Sequence, residues 1–466
     1  MATNDALLDR ALLERYNRPG PRYTSYPTAP QFREDFREAE LHAAIAASNG
    51  DPIPRRLSLY VHVPFCTSPC FYCGCNRIIT RDTERGDAYL TRLYREIAMV
   101  ADLFDPDREA IQVHFGGGTP NFLSPTQLGE CVDTLQRHFR FAHERERDVS
   151  IELDPRFISP SDVAHLARIG FNRASLGVQD FDPAVQTAVN RIQSIDETRA
   201  VVDACRDNGF RSVNIDLIYG LPKQTLHGFD RTLDEVLSMR PDRLAVYSYA
   251  HLPELFRPQR QLDERDLPTP DTKLSLLMLA IQRLTNAGYL YIGMDHFALP
   301  DDDLARAQSR GGLHRNFMGY TTHADSDLIG FGVSAISHVG DTFSQNPRDL
   351  PSWEIALDQG RLPVFRGLHL SEDDQLRADL IQSLMCQGEV PVDALERRYG
   401  IEFDDYFQSS LEKLAPLQAD GLVRIDRNGI HATAQGRLLL RNIAMCFDGY
   451  LDRPADVARS RFSRAI

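Results

Sequence analysis

From residue 57 to about 250, short apolar runs alternate with segments of helical spacing, and no other feature restricts the fold as strongly. The runs are Leu57–Pro64, Ala110–Phe115, Val149–Leu153, Ala174–Gln179, Val213–Tyr219 and Leu244–Tyr249. Between the first two, Leu90, Leu93, Tyr94, Ile97 and Ala101 recur at helical intervals, which marks an amphipathic helix beside a sheet. Six strand-helix units in series predict a parallel sheet, open or curled into part of a barrel. Folds of this kind put their chemistry at the carboxyl ends of the strands. At those ends the chain carries a cysteine loop, then Gly116-Gly-Gly-Thr-Pro120, then Glu152 and Asp154. Gln179-Asp180, Asp216 with Tyr219-Gly-Leu-Pro222, and Tyr247, Tyr249 and His251 follow at the last three. These polar groups are therefore expected on one rim.

The cysteine loop holds Cys66, Cys70, Cys73 and Cys75. Thiolates this close in one loop can converge on a single soft centre. Structural zinc usually takes two short-spaced pairs from separated places, and this chain has no second pair. Cys131, Cys205, Cys386 and Cys446 stand singly in helical segments, as core thiols do. A disulfide framework would need an oxidising compartment. Met1–Arg10 has no apolar leader, and no stretch reaches the roughly 18 apolar residues of a spanning helix, so a cytoplasmic setting with reduced thiols is expected. An iron–sulfur cluster fits best. A [4Fe–4S] cluster usually takes four thiolates, yet Cys66-Thr-Ser-Pro-Cys70-Phe-Tyr-Cys73 is a three-cysteine C-x3-C-x2-C pattern that leaves one iron open.

A chain of 466 residues suggests a large catalytic core with an appended module. Its net charge of −14 opposes nonspecific attraction to nucleic acid or anionic membrane, so an anionic substrate needs a locally basic pocket. Residues 1–50 form an irregular arm, in which Arg18-Pro-Gly-Pro-Arg-Tyr-Thr-Ser-Tyr-Pro27 suggests docking through Arg22 and the tyrosines rather than a loose tail. Residues 51–367 read as the catalytic domain, and 368–466 as a small helical module. There Ser371 with Asp374 starts a helix whose stripe is Leu376, Leu380, Ile381 and Leu384. Leu422–Ile425 and Ile430–Thr433 flank Asn428-Gly429, a hairpin signal that makes the module winged-helix-like. Glu402, Asp404 and Asp405 interrupt its basic residues, which favours packing or a lid over DNA binding.

The three-cysteine loop resembles that of the radical S-adenosylmethionine (SAM) enzymes. Longer segments resemble one family among them, the oxygen-independent coproporphyrinogen III oxidases, also called coproporphyrinogen dehydrogenases. They are Tyr60-Val-His-Val-Pro-Phe-Cys66, Cys73-Gly-Cys75, the Arg18–Ala29 arm, Ile292-Gly-Met-Asp-His-Phe297 and Asn316-Phe-Met-Gly-Tyr-Thr-Thr322. The likeness spans nearly the whole chain. It implies a partial parallel (β/α)6 radical-SAM barrel with an N-terminal arm and a small C-terminal helical domain. It also implies anaerobic oxidative decarboxylation of two propionates of coproporphyrinogen III, giving protoporphyrinogen IX, by a 5′-deoxyadenosyl radical made from SAM at a [4Fe–4S] cluster. An electron donor for the cluster and a separate electron acceptor would be partners, with no nucleic acid, no membrane and a monomeric state.

Carried over by motif position, Cys66, Cys70 and Cys73 would ligate the cluster. Tyr60, Gly117, Glu152 and Ile336 would line the cluster-bound SAM, and Tyr72, Gly118, Thr119, Gln179, Arg191, Asp216 and Ala250 a second SAM. Glu152 and Asp216 lie in apolar strands, where a carboxylate needs a partner. Arg191 reads equally as a surface ion pair, and a lone strand histidine such as His62 is more often a satisfied core residue. Cys75 is a candidate catalytic residue, and it separates this family from haem-binding relatives with an aromatic residue there. A haem carrier and a plain electron-transfer protein, with Cys75 as fourth ligand, are the alternatives. Met318 stands where the family commonly has glutamine, which puts a substrate or SAM contact in question. Arg22, Lys223 and Arg315 are candidate anchors for the carboxylate-rich substrate.

Overall fold

The computed structural model describes residues 10–427, 429–452 and 462–464. They pack into two compact units. The first comprises Phe32–Thr269 and Asp325–His369. Its main strands are β1 (Arg56–Val63), β2 (Glu109–Gly117), β3 (Asp148–Leu153), β4 (Arg173–Gln179), β5 (Ser212–Tyr219) and β6 (Arg243–Ser248). Each overlaps a predicted run, and consecutive strands pair in parallel. Leu57, Leu59, Val61 and Val63 of β1 are buried, as a strand covered on its inner face requires.

The crossover helices start where the sequence can cap them. Ser124, Ser159 and Ser194 each form a reciprocal capping box, with Gln127, Asp162 and Glu197. The helix Glu84–Ala101 buries Leu90, Leu93 and Ile97 of the predicted stripe. Crossover helices of this kind return the chain so that every strand points the same way, and all carboxyl ends share a rim.

A further parallel strand extends the predicted six. β7 (Ser326–Phe331) pairs along the free edge of β1, with Tyr60 opposite Gly330. The chain then turns back through antiparallel β8 (Ile336–Val339), β9 (Thr342–Gln345) and β10 (Arg366–His369). Within the unit the order is β6-β5-β4-β3-β2-β1-β7-β8-β9-β10. The sequence of β7 gives no strand signal because Asp327 breaks its apolar pattern. In the fold that carboxylate is 1% exposed and meets Arg108 at 2.7 Å, which makes its burial tolerable.

The second unit comprises the described residues of Met1–Gln31, Pro270–Ala324 and Leu370–Ile466. The compact units thus cut across the linear segments 1–50, 51–367 and 368–466, because packing follows buried surface rather than chain order. Here the helix Glu372–Gln387 starts at Ser371, boxed with Asp374, and buries Leu376, Leu380, Ile381 and Leu384. Strands Val423–Asp426 and Gly429–Ala432 form the expected hairpin, and Glu389–Val390 adds a third strand. Asn428, the first residue of the predicted turn pair, lies outside the described residues. The arm is docked rather than loose. Tyr23 donates to Asp448 at 2.9 Å, the Tyr26 hydroxyl accepts from the Gly449 amide at 3.0 Å, and Arg22 pairs with Asp295.

Among the described residues no helix is long and apolar enough to cross a membrane. Cys131, Cys205, Cys386 and Cys446 are buried, and burial pushes their thiols up to about 12, 12, 12 and 11. They act as core residues.

Candidate active site

The cysteine loop leaves the carboxyl end of β1 and is closed at its base. Phe65–Cys66 pairs with Ile78–Ile79, and the Thr80 amide donates to the Cys66 carbonyl at 3.0 Å. Asn190 holds the Pro69 carbonyl at 2.7 Å, the Phe71 amide donates to Val189 at 3.0 Å, and Arg77 spans the Cys70 and Cys73 carbonyls at 3.1 and 3.4 Å. A loop tied at so many points presents its thiols in a set geometry. Thr119 Oγ1 lies 3.2 Å from Cys66 Sγ, while Arg191 and Arg156 approach Cys70 Sγ at 3.6 and 3.8 Å. These contacts place two guanidinium groups beside a sulfur that would bind metal.

The remaining thiols differ in their electrostatics. Burial pushes Cys66 up to about 11, with Thr119 opposing. Cys73 is pulled down to about 6, first by its hydrogen bond with the Cys75 side chain and also by the Cys75 amide at 3.4 Å. The same pair raises Cys75, the exposed member of the loop. Among the described residues no three His, Cys, Asp or Glu side chains form a ready cage for one ion. Three soft thiol donors tied into one loop, with Arg191 and Arg156 beside Cys70, are the kind of donor set an iron–sulfur cluster takes.

Beside the loop lies a glycine ledge at the end of β2. The Gly118 amide donates to the Val63 carbonyl at 2.8 Å and the Thr119 amide to Phe65 at 2.9 Å. A Cβ on Gly118 would stand 2.8 Å from the Pro64 and Phe65 carbonyls. One on Gly117, whose φ is +114°, would meet the His62 ring at 2.5 Å. Only glycine lets the two backbones approach this closely.

Around the ledge the structure gathers several predicted residues. Glu152 accepts from the Gly117 amide at 3.1 Å and faces His114 Nε2 at 3.3 Å. Burial would raise its carboxyl, but His114 and that amide outweigh it and hold the group below the usual range. The His114 ring stacks on Tyr60, with centroids 5.8 Å apart, and the Tyr60 hydroxyl meets His62 Nδ1 at 3.1 Å. His62 Nε2 reaches the Asn76 carbonyl at 3.0 Å, so both ring nitrogens are engaged. Ile336 opens β8 and packs against Gly330, the register partner of Tyr60. A Cβ at Gly330 would come within 2.6 Å of the Ile336 carbonyl.

The second predicted group follows the rim. Arg191 is 6% exposed, donating to Asp154 at 3.0 Å and to the Gly177 carbonyl at 2.5 Å; it is a buried ion pair, not a surface one. Arg156 meets the same Asp154 at 2.7 Å. Gln179 ends β4 with φ +72°, a strained value for a non-glycine residue, and a Cβ on Gly177 would be 3.0 Å from its amide. Asp216 accepts from Asn214 at 2.8 Å and from Ser175 at 3.2 Å. Burial, opposed by Asn214 and helped by the Glu152 charge, lifts Asp216 to about 7. Tyr72 and Ala250 are joined through Gln259, whose amide reaches their carbonyls at 3.0 and 3.2 Å. Tyr60, Glu152 and Asp216 are half-buried, as the lining of a cleft is.

His114, Arg156, Asn190 and Gln259 were not singled out from the sequence. A signal existed only for His114, which shares its strand face with Gly116 at spacing two; the others are loop polar residues whose partners are distant in sequence. Of the proposed anchors, Lys223 belongs to this unit and pairs with Asp266 at 3.5 Å. Arg22 and Arg315 belong to the other. Met318 sits at the tip of the hairpin His314–Asn316 and Gly319–Thr321, its amide held by Asn316 at 2.9 Å.

Comparison with known proteins agrees with this geometry. Residues 60–236 match the Radical SAM superfamily model and residues 370–439 the HemN C-terminal domain model. The chain is 50% identical to the oxygen-independent coproporphyrinogen III oxidase of Pseudomonas aeruginosa, over 98% of each chain. It is 48% identical to that of Escherichia coli K12, again over 98% of each. The solved coproporphyrinogen III oxidase (HemN) from Escherichia coli, described as a radical SAM enzyme, superposes with a TM-score of 0.90 over 95% of this chain and 99% of that one. Identity of this order, sustained along nearly the full length, shows that the chain belongs to the oxygen-independent coproporphyrinogen III oxidase family of radical SAM proteins.

Proposed function

We infer that the chain is an anaerobic oxidase of coproporphyrinogen III, converting two propionate side chains to vinyl groups and releasing protoporphyrinogen IX. The observation that carries this reading is a C-x3-C-x2-C loop laid against a glycine ledge, in a chain half-identical to enzymes of that name. A bound [4Fe–4S] cluster with SAM would supply the one-electron radical chemistry that oxidation of a propionate side chain needs. Everything else falls to this chain's residues. Cys66, Cys70 and Cys73 would hold three irons, and Cys75 would not ligate. Gly117, Glu152, Tyr60 and Ile336 would seat the SAM on the open iron, with the Glu152 carboxylate accepting from its amino group.

Tyr72, Gly118, Thr119, Gln179, Arg191, Asp216 and Ala250 would line a second SAM. Asp216, titrating near 7, can donate as well as accept at neutral pH. All eight cysteines are free, which suits a cytoplasmic enzyme. An electron donor and an acceptor complete the cycle, and a monomer suffices.

An anaerobic assay tests the function. Reconstituted protein with SAM, a low-potential reductant, an electron acceptor and coproporphyrinogen III should yield 5′-deoxyadenosine and protoporphyrinogen IX. Deoxyadenosine without decarboxylation would overturn the substrate, and haem uptake with no SAM cleavage would make the protein a carrier.

Among the anchors, Arg315 is the best supported. It is 4% exposed, its guanidinium lies 4.7 Å from the Tyr320 ring centroid, and Nε and Nη1 have no partner among the described residues. A buried cation with open donors suits a propionate carboxylate. Arg315→Ala should raise the KM for coproporphyrinogen at least roughly tenfold, the loss of one charged hydrogen bond. An unchanged KM removes it from the site.

A further inference from the structure

The cysteine loop has a second face. Behind it runs a groove of about 470 Å³, one wall of which is Pro64, Asn76, Arg77 and Ile78, the strand that closes the loop. Arg85 and Arg348 also line the groove, and both are exposed. In a chain of net charge −14, Arg77, Arg85 and Arg348 make no ion pair among the described residues, whereas many other surface arginines are matched with a carboxylate. The two acids on the groove are already engaged. Asp349 caps a helix through the Ser352 amide at 2.9 Å, and Glu354 faces Arg92 at 3.7 Å. Three cations against two acids leave the groove with a net positive charge on an acidic protein.

It is also thin-walled. Arg77, which lines it, bonds the carbonyls of Cys70 and Cys73. Ile78 donates to the Pro64 carbonyl at 2.7 Å, two residues before Cys66. Arg85 lies 5.9 Å from the ring centroid of Phe65, the neighbour of Cys66. One layer of residues separates the groove from the cysteine loop. The cations are spread over a rim instead of converging on one point, which suits a surface of dispersed carboxylates better than a single small anion.

We propose that this groove docks an acidic one-electron carrier protein, which reduces the cluster through the wall formed by Cys66 and Ile78. The proposal rests on the radical SAM reading above. One electron passes from the reduced carrier to the cluster and leaves the carrier oxidised by one; no bond forms or breaks, and this chain gives up no proton. Complementary charge steers such encounters and speeds them mainly at low salt.

The test uses the cluster-loaded enzyme and an acidic flavodoxin. Hydrogen exchange should slow in segments 76–88 and 346–354 when flavodoxin is added, and the protection should fade as salt rises. With limiting flavodoxin as donor, SAM cleavage by an Arg85→Glu, Arg348→Glu double variant should fall at least about tenfold. With dithionite, which needs no docking, it should match the parent. Protection elsewhere, or equal flavodoxin-driven rates in parent and variant, would overturn the proposal. Should the variant also fail with dithionite, exchange on the parent decides alone. Absence of SAM cleavage by the parent with dithionite would instead count against the functional reading, and flavodoxin binding would still report on the groove.

Discussion

Cys66→Ser is expected to abolish both 5′-deoxyadenosine and protoporphyrinogen IX formation and to empty the cluster site. Cys66 is fixed on both sides, by pairing of Phe65–Cys66 with Ile78–Ile79 and by Thr119 Oγ1 at 3.2 Å from its sulfur. A serine there keeps those contacts but offers a hard hydroxyl that stays protonated where a thiolate would bind iron. The loss should exceed the roughly 10–100-fold that replacing an outer-shell partner costs. Iron content and electron paramagnetic resonance of the reduced protein measure it. Cys75→Ser is the control, because the chemistry of an open iron needs three thiolates. Its iron content should match the parent, and equal iron loss in both variants would make Cys75 a fourth ligand and the chain an electron-transfer protein.

Arg191→Met is expected to cost stability and cluster loading together. The guanidinium is buried and bridges Asp154, the Gly177 carbonyl and Cys70 Sγ. Removing one partner of a buried pair typically costs about 3–5 kcal/mol, since the remaining charge is left uncompensated. Arg156 still meets Asp154 at 2.7 Å, so the loss belongs near the lower end, about 3 kcal/mol. A surface ion pair would give at most about 1 kcal/mol, and the urea midpoint separates the two. Arg191→Lys should recover only part, because an ammonium cannot span partners in three directions. Iron content should also fall, as Cys70 loses a cationic neighbour. A midpoint shift under 1 kcal/mol would sink this account.

Local rules made much of the molecule readable. The six predicted runs became β1 to β6 because alternation of strand and helix leaves few ways to bury every apolar face. Ser371 and Asp374 capped the helix that their spacing announced. The cysteine and glycine motifs lie at strand ends, where backbone polar groups are free to meet a ligand. β7 was not legible, since Asp327 is acceptable in a strand only when Arg108, far away in sequence, is brought to it.

The site divides in the same way. Residue types and spacings determined the three-cysteine loop and the need for close approach at Gly117 and Gly118. Tertiary structure alone decided that Arg191 is a buried ion pair, that Glu152 is held ionised by His114, and that Tyr60 faces Gly330 beside Ile336. It also decided that the arm's Tyr23 and Tyr26 are anchored on Asp448 and Gly449. The physical reason is common to all of them. Propensity, capping and turn chemistry act over a few residues and are written in the sequence, whereas a charge or a close approach gains its meaning from a partner that only folding supplies.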